Sequence, residues 1–249
     1  MSPQQSRPGA GEPLSDEAPL TGTVVAIDGP SGSGKSSVSR AVARALDAAY
    51  LDTGAMYRAV TWSCLRDDVN LANHEAVAEQ ARTVALTMVM DPHRPGVRVD
   101  GIDLSRAIRE DRVTSVVSVV ATNLAVRAEL RRRQRLLIAD AVAQRGVCVA
   151  EGRDVTTVVA PDAAVRILLT ASEAARLARR ATQNHGQADA ASVAATRSQV
   201  VDRDRLDSTV SDFTTASDGV VHLDTSDLTF DESVEAVLAI VKGALGSVR

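Results

Sequence analysis

Eight consecutive residues near the start of the chain combine glycine, hydroxyl and lysine side chains at a spacing that suits phosphate chemistry. Gly29-Pro30-Ser31-Gly32-Ser33-Gly34-Lys35-Ser36 has a glycine, four variable positions, then glycine, lysine and a hydroxyl residue, and Ser37 follows. Glycines let the backbone curl so that successive N–H groups point inward at phosphate oxygens. A helix starting at Lys35 would aim its partial positive charge at the same anion. Lys35 can reach the terminal phosphates, and the Ser36 hydroxyl can ligate Mg²⁺. The pattern therefore predicts a site for ATP and Mg²⁺ built from Gly29 to Ser37, with Ser36 as the metal ligand.

Moving a phosphoryl group between two anions requires positive charge around both. Arg58, Arg127 and Arg153 each end a short motif, and Arg176, Arg179 and Arg180 share one face of a helix through i, i+3 and i+4 spacing. Neither of the base-reading and switch motifs of a GTPase, N-K-x-D and D-x-x-G, follows the glycine-rich loop. A small-molecule kinase fits these residues better than a GTPase. The run Arg131-Arg132-Arg133-Gln134-Arg135 reads as a solvated helix face rather than a phosphate clamp.

The elements that would hold these residues alternate. Val24-Val25-Ala26-Ile27 is an apolar run ending at Asp28 and the glycine-rich turn, which is the pattern of a buried parallel strand. A helix is expected from Lys35 to Leu46, a strand from Ala49 to Leu51, and a second helix near Asp52-Thr53-Gly54. Further strands are expected at Val147 to Ala150, Val165 to Leu169 and Val220 to Leu223. Ser172 is placed to cap one helix, and Thr229 with Glu232 forms a capping box for the last. This order predicts an α/β fold of three layers with a central parallel sheet of five strands. Residues 62–145 interrupt the rhythm with two strand-like runs, Val84 to Met90 and Gly96 to Leu104, and two helical stretches. They are read as an inserted substrate domain within a core of 22–61 and 146–249. Residues 172–196 are read as a lid, polar and mobile from Asn184 onward.

Composition narrows the class. The chain has 249 residues, a net charge of −4 and only 2% aromatic residues, so it suits an aliphatic α/β core and not a broad nucleic-acid surface. Cys64 and Cys148 lie among apolar neighbours without metal-ligand spacing, and the four histidines form no cluster. Residues 1–21 read as a disordered tail that lacks the features of a signal peptide, and no run is long enough to span a membrane. The expected protein is cytoplasmic and monomeric, with small nucleotides as its partners and neither nucleic acid nor membrane among them.

Four blocks together resemble the bacterial cytidylate kinases. They are Ile27 to Ser37, then Leu51-Asp52-Thr53-Gly54-Ala55-Met56-Tyr57-Arg58, then Glu151-Gly152-Arg153-Asp154, and Arg203-Asp204-Arg205-Leu206-Asp207-Ser208. Gly101 to Ser105, Ile108-Arg109 and Val126-Arg127 are also similar to that family. The resemblance implies ATP-dependent phosphorylation of CMP and dCMP to the diphosphate. It also implies that Thr53, Tyr57 and Arg58 hold the acceptor nucleotide, with Arg58 on its phosphate. Ser118, Arg127 and Asp154 would read cytosine, Arg153 would grip the phosphate, and Asp204 would contact the ribose. Lys35, Arg58 and Arg153 are the implied catalytic cations.

Three departures from the family's pattern stand out. The arginine and proline that usually follow the Asp-Ser block are absent from Thr209-Val210-Ser211-Asp212-Phe213. An arginine that often precedes the Arg-Asp pair is replaced by Val200 or Val201, and a usual glycine is Thr156. Arg197 or Arg205 could restore the missing charge. Two other readings remain at this level: a P-loop kinase for a different small substrate, and a nucleotide-binding paralogue that is weak or inactive.

Overall fold

The computed structural model describes residues 20, 22–186 and 189–246. The expected N-terminal tail therefore lies outside the described residues, apart from Leu20. Five strands form a parallel sheet: β1 (Thr23–Asp28), β2 (Ala49–Asp52), β6 (Val147–Gly152), β7 (Val165–Thr170) and β8 (Val221–Asp224). Their spatial order is β2-β6-β1-β7-β8. β1 is central, paired in register with β6 from Thr23↔Val147 to Asp28↔Gly152 and with β7 from Val25↔Val165. Val24 to Ile27 are at most 1% exposed, which explains why this strand is apolar without alternation. The chain runs from β1 to one side of the sheet and later to the other. The loops after β1, β2 and β6 thus open a crevice at the carboxyl ends of the strands, where α/β sheets bind ligands.

Helices cover both faces. On one side α1 (Lys35–Ala45) and α10 (Phe230–Gly246) bury Val38, Val42, Val237 and Val241 against Val25, Ile27 and Ile167. The predicted capping box starts α10: the Thr229 backbone N–H donates to the Glu232 carboxylate, and the Glu232 N–H donates to the Thr229 hydroxyl. On the other side α2 (Thr53–Arg66) and α6 (Leu124–Arg145) pack over Val24, Ala26 and Leu51.

The interrupting block has its own three-stranded antiparallel sheet, β3 (Leu86–Val89), β4 (Gly96–Val99) and β5 (Ile102–Asp103). The predicted turn joins β4 to β5, with Asp100 and Gly101 at φ 52° and 79°. Helices α3 (His74–Thr83), α4 (Asp111–Thr114) and α5 (Val117–Ala121) complete the block. One apolar cluster runs without a break from this sheet through α2 and α6 to β1 and β6. The arginine run on α6 is neither a bare solvated face nor part of the cleft. Arg132 and Arg133 bond to Glu129, Arg133 also to the carbonyls of Val84 and Arg82, and the buried Arg135 to the carbonyl of Val159.

After β7, Ser172 caps α7 (Glu173–His185) through the Ala175 N–H, as its sequence position implies. The segment expected to be a loop instead forms α8 (Ala190–Arg197), because alanine favours helix and the Asp189 carboxylate accepts from the Ser192 N–H. Residues 187 and 188 lie outside the described residues. A π-helical turn leads into α9 (Arg203–Asp207). Among the described residues no single helix is long and apolar enough to cross a membrane.

Candidate active site

The glycine-rich loop curls between β1 and α1 as its composition requires. Gly32 and Gly34 take φ 78° and 90°, the left-handed region that glycine enters without strain. A Cβ on Gly32 would lie 2.7 Å from the carbonyl oxygen of Arg176, so α7 approaches too closely for any side chain there. Residues Ser31 to Ser37 line one cleft together with Thr53, Tyr57, Arg58, Arg127, Arg153 and Asp154. Its walls carry seven cationic side chains (Lys35, Arg58, Arg109, Arg127, Arg153, Arg180 and Arg203) against four carboxylates (Asp52, Glu151, Asp154 and Asp207). That excess on a chain of net charge −4 suits a polyanion.

Lys35 and Ser36 meet Glu151 at the end of β6. The Ser36 hydroxyl donates to Glu151 Oε1 at 2.6 Å, the Tyr50 hydroxyl donates to the same oxygen at 3.2 Å, and Lys35 Nζ lies 3.8 Å from Oε2. Burial and then the neighbouring Asp52 push the Glu151 carboxyl above its usual range, while Lys35 and the Ser36 bond oppose that shift. Burial depresses the Lys35 ammonium, with Arg153 and Arg203 adding to the effect. A hydroxyl and a carboxylate side by side are hard oxygen donors that fit Mg²⁺. Among the described residues no group of three or more His, Cys, Asp or Glu could hold a metal, so the remaining ligands would come from phosphates and water.

In the same cleft Arg127 Nη2 donates to Asp154 Oδ2 at 2.5 Å, and both side chains are largely buried. Tyr57 lines the cleft beside them, its hydroxyl pushed far above its ordinary value by burial and then by Asp154. Arg58 Nη1 donates to the Ile108 carbonyl at 2.9 Å and the Thr114 hydroxyl at 2.8 Å, tying α2 to the inserted block. Burial, followed by Arg203 and Arg180, holds its guanidinium below the usual arginine range. Thr53 faces the cleft, but its hydroxyl donates to the Glu151 carbonyl at 2.8 Å and so joins the start of α2 to β6.

Several residues lie elsewhere than the resemblance implied. Ser118 and Asp204 do not line the cleft. Ser118 donates to Asp207 Oδ1 at 3.0 Å. Asp204 accepts from the Ser31 N–H at 3.0 Å and pairs with Arg153 and Arg176. Asp207, one helical turn on, is the carboxylate that faces the cleft, and it also accepts from Arg153 Nε. Of Arg176, Arg179 and Arg180 on α7, only Arg180 lines the cleft. Arg176 donates to the Ser31 carbonyl at 2.9 Å and Arg179 to the Ser33 carbonyl at 3.1 Å. A loop that turns its N–H groups inward must turn carbonyls outward, and these two arginines satisfy them. Arg197 pairs with Glu173 and Arg205 with Asp202, both far exposed, so neither supplies the missing charge. Arg109, Arg180 and Arg203 do line the cleft.

Reasoning from sequence missed Glu151, Asp207, Arg109 and Arg203 as individual contributors. Glu151 had a usable signal: an acid closing the apolar run Val147 to Ala150, as Asp28 closes β1. The Asp28 side chain accepts from the N–H groups of Val155 and Thr156 and from the Thr156 hydroxyl at 2.7 Å. Thr156, which departs from the family's glycine, thus helps seat the π-helical turn Val155–Val159 that directly follows Arg153 and Asp154.

Asp28 also yields a pH prediction. Burial pushes its carboxyl up to about 6 from an ordinary 3.8, against the bonds from Thr156 and Val155 that lower it. Between those values the folded protein holds a proton that the unfolded chain has released. Its contribution to stability is therefore complete below about pH 4 and lost as pH rises through about 6. Urea unfolding at pH 4 and pH 6.5 should show Asp28→Asn losing less stability over that interval than the unsubstituted protein, by on the order of 3 kcal/mol.

The comparisons with known proteins point the same way as the site. A cytidylate kinase of Streptomyces griseus subsp. griseus is 42% identical over 228 residues, which cover 91% of this chain and 96% of that one. Cytidylate kinases of Nocardia farcinica and Rhodococcus opacus are each 46% identical, over 92% and 90% of this chain and 96% of their own lengths. The sequence model of the cytidylate kinase family matches residues 25–243, from the middle of β1 into α10, so this chain belongs to that family.

Proposed function

We propose that this enzyme transfers the terminal phosphoryl group of ATP to the phosphate of CMP or dCMP, as a cytoplasmic monomer with Mg²⁺ as its metal. One observation carries the reading. A single cleft is lined by the glycine-rich loop with Lys35 and Ser36, by the Arg127–Asp154 pair, and by Arg58, Arg153, Arg180 and Arg203. Cytosine presents an amino donor beside a ring nitrogen and a carbonyl, which both accept. A carboxylate next to a guanidinium is complementary to that edge. Asp207 is the carboxylate available to the sugar.

In the reaction an oxygen of the acceptor phosphate attacks the terminal phosphorus of ATP. The bond to the bridging oxygen breaks, and its electron pair leaves with ADP. No side-chain nucleophile takes part. Lys35 and the arginines neutralise charge that spreads over the transferring oxygens, and Ser36 with Glu151 would hold the metal. When bound there, Mg²⁺ would supply Lewis-acid neutralisation of phosphate charge. Residues 172–196 act as the lid, residues 62–145 as the acceptor domain, and closure of both would exclude water that could otherwise hydrolyse ATP.

An inactive nucleotide-binding relative is the weaker reading, because Lys35 and six arginines line the cleft without the two that are absent. Steady-state rates with CMP, dCMP, UMP and AMP test the proposal. kcat/KM for CMP or dCMP should exceed that for AMP by about a hundredfold or more. A preference for AMP, or tight CMP binding without turnover, would overturn it.

A further inference from the structure

Phe213 is one of only two phenylalanines in the chain and lies 1% exposed in the segment between α9 and β8. It belongs to neither of the two large apolar clusters that flank the sheet. Its ring instead lies under a charge: the Arg153 guanidinium carbon is 4.4 Å from the ring centroid. The edges of the same guanidinium are also engaged. Nε donates to Asp207 at 3.1 Å, Nη1 to the Gly29 carbonyl at 3.1 Å, and Nη2 reaches Asp204 at 2.9 Å and Asp207 at 3.1 Å. Five donors are available on an arginine, so these contacts leave one N–H on Nη1 for a ligand. The ring is held from its own side. Ser211 donates to the Asp207 carbonyl, and Asp212 accepts from the N–H groups of Thr214 and Thr215 in a tight turn.

We infer that Phe213 is a positioning residue for Arg153, fixing the plane of its guanidinium so that the remaining N–H meets phosphate without reorientation. Carboxylates and a carbonyl along the edges restrain the group within its plane, but they leave its tilt soft. An aromatic face beneath restrains the tilt, because the ring quadrupole attracts the cation most strongly when centred over the face. Arg153 lies between the glycine-rich loop, through Gly29, and α9, through Asp204 and Asp207. It therefore links the glycine-rich loop to the helix whose Asp207 lines the cleft. Small misplacements of such a group lower rates steeply.

The inference rests on the phosphoryl transfer proposed above, so its test has one arm that needs no activity. Phe213 is replaced by leucine, by cyclohexylalanine, and by mono-, di- and trifluorinated phenylalanines, which hold the ring volume nearly constant while draining electron density from its face. In the ligand-free protein the Arg153 Nε–H resonance, assigned through Arg153→Lys, should show the ring-current shift with phenylalanine and lose it with leucine and cyclohexylalanine. In the kinase assay kcat should fall about tenfold with leucine or cyclohexylalanine and stepwise with each added fluorine, while KM for ATP stays within about twofold. A kcat that is flat across the fluorinated series and unchanged in cyclohexylalanine would overturn the inference, as would an Arg153 resonance indifferent to the ring. An enzyme that shows the ring-current shift but does not phosphorylate CMP would sink the functional reading alone.

Discussion

Lys35→Ala should lower kcat/KM for phosphoryl transfer by about three orders of magnitude or more while the protein stays folded. Lys35 starts α1 with only 15% of its side chain exposed, and its ammonium lies 3.8 Å from Glu151. Burial already disfavours the charged form, so the ammonium depends on Glu151 now and on phosphate when substrate is bound. Removing it leaves charge on the transferring oxygens unneutralised in a site shielded from water, where each such contact is strong. The loss should fall on kcat more than on KM, because the developing charge is greatest in the transition state. Circular dichroism and thermal melting check the fold, and single-turnover rates check the chemistry. Turnover near that of the unsubstituted enzyme would contradict the role assigned to this lysine.

Asp154→Asn should raise KM for CMP about a hundredfold with KM for ATP within about twofold. Asp154 is 7% exposed and accepts from Arg127 at 2.5 Å. Burial raises its carboxyl above the ordinary value, and Arg127 and then Arg131 pull it back down. The substitution keeps the shape and an acceptor for Arg127, but leaves the guanidinium without its counter-charge and offers cytosine a weaker acceptor. Breaking a buried pair from one side costs about 3–5 kcal/mol, so a lower melting temperature should accompany the change in KM. Unaltered CMP affinity together with a lower melting temperature would make the pair purely structural.

Much of this protein is written locally. The left-handed backbone at Gly32 and Gly34, the apolar run before Asp28, the Asp100-Gly101 turn and the cap at Ser172 each depend on residues within a few positions of one another. Such features obey backbone sterics and short-range hydrogen bonding, so residue type and spacing predict them. The buried strands β1, β2, β6 and β7 followed for the same reason, since a buried strand in such a sheet needs an unbroken apolar run and a helix to cross over, whereas β8 at the edge is largely exposed.

The site was legible as a set of blocks and not as a geometry. Asp204 and Asp207 are three residues apart on α9, and nothing in the charge run Asp202 to Asp207 says which one faces the cleft. Packing of α9 against α5 and the glycine-rich loop decides it, placing Asp204 on the Ser31 N–H and Asp207 on the cleft wall. The same holds for Arg176, Arg179 and Arg180: helical spacing puts them on one face, but the outward carbonyls of Ser31 and Ser33 capture the first two. The sequence alone determined that a phosphate-binding loop lies between a buried strand and a helix. Tertiary structure alone decided which charges surround that loop, because a charge's direction depends on partners more than a hundred residues away whose identity local rules do not constrain.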